Sequence, residues 1–263
     1  MKKCFLGLIV IMVTVSMLFG FVGCAKETPA ECFDYEIEGN HIIITGLVKT
    51  DLEKIVIPER IKGSFVTAIA EDAFRECTNL ISVTIPDSVT KIDEDAFEDC
   101  TGLVEVIIPD SVKEIGESAF SGCTSLTSVI IPNGVIEISY RAFADCTSLT
   151  SVTIPEGITR ISAFSGCTSL KNVTIPESVT EIESSAFSDC TSLTNVTIPD
   201  SVESIGWGAF EGCTSLTNVT IPVSVTEIGW SAFAGCTSLK NVTIPDSVKH
   251  IDPTAFEGTG VKL

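Results

Sequence analysis

Apolar and polar positions along the chain keep one rhythm for about 200 residues. Leu126-x-x-Val129-x-Ile131 alternates apolar and polar side chains, the signature of a short strand with one buried face. Pro132 follows and lacks a backbone donor, so the strand is predicted to stop there. Val135 and Ile138 point back inside along a return path. Ala142-Phe143 fills the turn, Cys146 closes it, and Leu149 opens the next strand. The same phrase recurs at Cys77, Cys100, Cys123, Cys146, Cys167, Cys190, Cys213 and Cys236, in steps of 23 residues except for one of 21. Ala-Phe pairs keep the beat from Ala73-Phe74 to Ala255-Phe256, as do Ile-Pro pairs from Ile57-Pro58 to Ile244-Pro245.

A unit this short cannot bury its apolar flank alone, but stacked copies share a continuous core with strands about 4.8 Å apart. The pattern predicts a solenoid of about nine 23-residue turns, with a parallel β-sheet on one face and the phenylalanines stacked through the core. The unit I-P-x-S-V-x-x-I-x-x-x-A-F-x-x-C-T-S-L closely resembles the BspA-like class of leucine-rich repeats, most fully at residues 87–103 and 200–216. That resemblance implies a surface or secreted bacterial protein that binds host proteins or other cells.

Departures from the period mark the ends and the middle. Residues 33–57 carry strand-like pieces, Phe33 to Ile37 and His41 to Thr45, and read as a β-rich N-terminal cap before repeats over 58–263. Extra residues around Ile61 to Val66 predict a hairpin or widened turn. Two residues are missing between Ile161 and Phe164, which predicts a shorter outer turn in the middle unit. Val261-Lys262-Leu263 begins a new strand with no polar cap after it. Self-association through this C-terminal edge is therefore one expectation.

Residues 1–23 form an export signal: Lys2 and Lys3, then an uncharged apolar run. Phe21-Val22-Gly23-Cys24 resembles the bacterial lipobox, with Phe21 where that motif usually has Leu. The resemblance implies acylation of Cys24 and a lipid-anchored protein at the cell surface or periplasmic face of a bacterial membrane. The other readings are a plain signal peptide or membrane anchor, with Cys24 an unmodified thiol. Residues 24–32, short and polar, read as a tether.

The net charge is −19, from 16 basic and 35 acidic residues, which argues against a nucleic-acid partner. Only His41 and His250 occur. No C-x-x-C, H-E-x-x-H, G-x-S-x-G, P-loop or dinucleotide motif is present, so no metal, cofactor or catalysis is expected. Glu94-Asp95-Ala96-Phe97-Glu98-Asp99 lacks the spacing of a calcium loop and reads as a solvated turn. The cysteine column reads as buried thiols serving as small apolar filler.

Two surfaces carry candidate binding residues. Tyr140, Trp207 and Trp230 each lie three residues before a core phenylalanine, at a phase held elsewhere by Glu94, Glu117 and Ser184. Outward rings there suit an interaction hot spot; the alternative is that each folds over the adjacent turn as core cover. The outward strand positions Thr153, Thr174, Thr197, Thr220 and Thr243 form a flat hydroxyl-rich ladder, which β-propensity alone also explains. The expected function is a tethered binding scaffold for protein or glycan ligands on host or neighbouring cells. The alternative is a structural envelope protein without a ligand. A glycan-acting hydrolase would need a carboxylate pair that breaks the repeat, and none is marked.

Overall fold

A computed structural model describes residues 26–261, so the segment read as an export signal and Cys24 lie outside the described residues. The chain is a parallel β-solenoid of about nine turns, as the 23-residue period predicts. The Leu-x-x-Val-x-Ile strands run from Lys54–Val56, Ser82–Thr84 and Glu105–Ile107 through Ser128–Ile130 and Ser151–Thr153 to Asn172–Thr174, Asn195–Thr197, Asn218–Thr220 and Asn241–Thr243. Equivalent residues pair in register, Val152 with Val173 and Val173 with Val196. Their central valines turn into the core while the flanking residues face out. Lys54–Val56, within the segment assigned to the cap, is the first rung: it pairs in parallel with Ser82–Thr84.

The return path forms a second ladder of parallel two-residue strands, not only the single sheet expected. Lys91–Ile92, Glu114–Ile115 and Glu137–Ile138 form one run. Arg160–Ile161, Glu181–Ile182, Ser204–Ile205, Glu227–Ile228 and His250–Ile251 form another. Two residues per strand are too few to show alternation, so the sequence reads as a return loop there. A third ladder joins the Ala-Phe turns: Phe120 N–H donates to the Ala142 carbonyl, Phe143 to Ala163 and Phe164 to Ala186, at 2.8–2.9 Å.

The core is continuous. Nine phenylalanines from Phe74 to Phe256 stack with centroids 4.9–5.7 Å apart. Beside them, each thiol from Cys100 to Cys236 donates to the phenylalanine carbonyl of the preceding turn at 3.0–3.3 Å. Burial drives the thiol pKa values of Cys100, Cys123, Cys146, Cys167 and Cys190 up, to about 12 at Cys100 and Cys167.

At the N-terminal end, Phe33–Glu38 and His41–Leu47 form an antiparallel hairpin, and the second strand continues the return-path ladder in parallel with Ser64–Ile69. The extra residues of the first repeat are a hairpin, with Arg60–Ile61 antiparallel to Ser64–Ile69. The segment read as a tether is not free along its whole length. The Thr28 amide donates to Val56 O and the Thr28 hydroxyl accepts from Val56 N–H, both at 2.9 Å. Ala30–Cys32 is a 3-10 turn that buries Cys32. One threonine able to pair twice with an otherwise open strand end is enough to dock such a segment.

Candidate binding surfaces

The predicted site residues divide between two faces. Thr153, Thr174, Thr197, Thr220 and Thr243 are all exposed at the ends of the long strands. Thr153 registers with Thr174, and Thr174 with Thr197. Beside them Asn172, Asn195, Asn218 and Asn241 form a parallel exposed column. This face carries mainly hydroxyls and amides, and at its C-terminal end Lys240 joins Asn218, Thr220, Asn241 and Thr243 around a shallow cleft.

Tyr140, Trp207 and Trp230 lie elsewhere, along the return-path ladder. Trp207 is 59% exposed, Trp230 68% and Tyr140 44%. Rings this open do little as core cover. Trp207 and Trp230 line a cleft of about 430 Å³ with Glu181, Ser204, Ile205, Gly206, Glu227 and Gly229. Close approach of the turns sets its shape: a Cβ at Gly229 would sit 3.0 Å from Gly206 C and Trp207 N, so glycine lets successive Trp-bearing turns stack.

Tyr140 is separated from the tryptophans by a break in the return-path ladder; the two residues missing between Ile161 and Phe164 were legible, the break was not. The two missing residues fall at the phase of Tyr140-Arg141, so Tyr140 has no successor on the next turn. The return-path ladder divides here, between Glu137–Ile138 and Arg160–Ile161. A notch of about 550 Å³ opens, lined among others by Glu117, Ile136, Glu137, Tyr140, Arg160 and Glu183. On its far wall the Arg160 guanidinium pairs with Glu181 at 2.9 Å and Glu183 at 2.6 Å. The 21-residue step was the available signal; the pairing failure and the role of Arg160 were not legible from it.

A separate charged corner joins the first turns. Arg75 reaches Asp72 at 2.9 Å, Asp95 at 3.2 Å and Glu98 at 2.5 Å. Burial first, then Asp95, pushes the Glu98 carboxyl up, and Arg75 only partly opposes this. Among the described residues no group of three or more His, Cys, Asp or Glu is placed to hold a metal ion.

A stack of short in-register strands around a phenylalanine spine defines a leucine-rich-repeat solenoid, a fold that typically presents surfaces rather than catalytic centres. Residues 47–163 and 161–262 match the BspA type leucine-rich repeat region in six copies, and the chain belongs to that family. Among solved structures it is similar to the leucine-rich repeat protein TpLRR of T. pallidum, with 29% identity, a TM-score of 0.66, and coverage of 85% of this chain and 93% of that one. It is also similar to a leucine-rich repeat protein from Bacteroides ovatus, with 25% identity, a TM-score of 0.53, and coverage of 89% and 92%. No curated protein matches the chain.

Proposed function

We propose that this protein is a binding scaffold for other macromolecules, held outside the cytoplasm of a bacterium by a lipid on Cys24 and serving adhesion or protein–protein contact. The observation that carries the reading is the pair Trp207 and Trp230, mostly exposed on neighbouring turns above a shared cleft. Large rings left in water by a chain that buries its other repeating aromatics suit a hot spot, where Trp and Tyr supply most of the binding energy. Repetition adds avidity toward repetitive partners, because each bound turn raises the local concentration for the next. The lipobox-like Phe21-Val22-Gly23-Cys24 supports the tether.

The test is a screen of the domain against immobilised matrix proteins and glycans, with the Trp207→Ala/Trp230→Ala variant alongside. Loss of ten-fold or more in affinity for a confirmed ligand supports the reading. Undiminished binding by the double variant removes the aromatic cleft as its basis. Metabolic labelling with a tagged fatty acid, compared between the parent and Cys24→Ala, tests the anchor.

A further inference from the structure

The return-path backbone carries two series of hydrogen bonds, each stepping one turn. In the first, Thr90 N–H donates to Thr67 O, Lys113 to Thr90 and Ile136 to Lys113; the series resumes with Thr180 to Thr159 and Glu203 to Thr180. In the second, Gly116 donates to Ile92 and Ser139 to Ile115; it resumes with Glu183 to Ile161 and Gly206 to Ile182. Both lack one step at the same place, Thr159 to Ile136 and Ser162 to Ile138. The Ile136 and Ile138 carbonyls, which border the notch, accept neither of these bonds from the next turn. Ser162 lines the same notch.

We propose that this notch seats an arginine side chain of a partner polypeptide. The inference deepens the scaffold reading and rests on it for the class of partner. The charge balance chooses the ligand's sign: Glu117, Glu137 and Glu183 against Arg160 make three acids to one base, a net of −2, and that one base is already held by Glu181 and Glu183. An anion would enter against this excess. The open acceptors choose the ligand's shape. Two carbonyls and the Glu117 and Glu137 carboxylates call for several donors, and a guanidinium presents five. The half-exposed Tyr140 ring borders the same space and offers a face on which a guanidinium stacks. A lysine ammonium supplies three donors from a point and satisfies fewer of these groups.

The experiment titrates the protein with a fluorescein-labelled Ala-Gly-Arg-Gly-Ala peptide, blocked at both ends, at 0.15 M salt. Parallel titrations replace Arg with citrulline, Lys or Glu, and maltohexaose serves as a neutral glycan. The arginine peptide is expected to bind at least ten-fold more tightly than its citrulline counterpart and more tightly than the lysine one. Inserting Ser-Ser between Ser162 and Ala163 restores the 23-residue period without changing charge and is expected to abolish that preference. Glu137→Gln and Tyr140→Ala on the unaltered backbone are each expected to weaken it several-fold, which covers the case that the insertion misfolds. Trp207→Ala/Trp230→Ala is expected to leave arginine binding unchanged, so failure of the aromatic cleft and failure of the notch are told apart. Equal binding of arginine and citrulline peptides, full binding by the Glu137 and Tyr140 variants, or tighter binding of maltohexaose overturns the proposal.

Discussion

The Asp99 carboxylate occupies the space that a Cβ on Gly122, one turn along, would need. Gly122 also holds a positive φ of 70°. Asp145 stands in the same relation to Gly166, and Asp189 to Gly212. Both strain and collision oppose a side chain at Gly122, so Gly122→Ala is expected to lower stability by about 1–3 kcal/mol. Asp99→Gly in the same chain removes the collision but not the strain. Urea denaturation of the two single variants and the double is expected to show a favourable coupling between them.

Phe143 stacks on Phe120 at 5.2 Å and Phe164 at 5.7 Å, whereas among the described residues Phe256 stacks only on Phe233. Phe143→Ala is expected to cost about 3–5 kcal/mol, the range for deleting a buried ring, and Phe256→Ala clearly less. Phe143 also lies in the turn between the last strand of one return-path run and the first of the next. Calorimetry of Phe143→Ala is accordingly expected to broaden or split a single thermal transition.

The thiol column ties stability to alkaline pH. An unfolded cysteine ionises near pH 8.5, while burial holds Cys100 and Cys167 protonated to about 12 and raises the thiols between and beyond them. A group whose folded pKa is raised contributes stability below its unfolded pKa and loses it as pH climbs toward the folded value. The thermal midpoint is therefore expected to fall between about pH 8.5 and 12. At pH 8, a disulfide reagent is expected to leave the ladder thiols of the folded chain unmodified and to titrate them all in guanidinium.

At acid pH the sign is the same and the window differs. Glu98 is raised by burial and by Asp95, so its protonated form is favoured in the fold. Its contribution is full below the unfolded glutamate pKa and declines as pH rises through the folded one. Mild acidification from pH 7 toward 5 is expected to raise the thermal midpoint, and Glu98→Gln to flatten that rise while Arg75 keeps Asp72 and Asp95 as partners.

Much of this architecture is legible from spacing. Phe, Cys and Ile-Pro at one period identify a solenoid because equivalent positions in stacked turns meet the same neighbours. The outward phase of Tyr140, Trp207 and Trp230 is legible too, since other repeats place Glu or Ser there. The return-path ladder is not, because two-residue strands carry no alternation. Docking of Thr28 onto Val56 is likewise invisible, because it depends on an open strand end distant in the chain.

Repetition in the chain alone determined that the protein stacks, how many turns it has and which residues share its core. Those follow from local pattern, since every turn solves the same burial problem in the same way. Which departures matter was decided only in three dimensions. A two-residue deletion is absorbed at the Ala-Phe turn, where Phe143 still reaches Ala163, and is not absorbed on the return path, where Ser162 fails to reach Ile138. Hydrogen bonds tolerate only a few tenths of an ångström, so whether neighbouring turns join or part is set by packing around the whole coil.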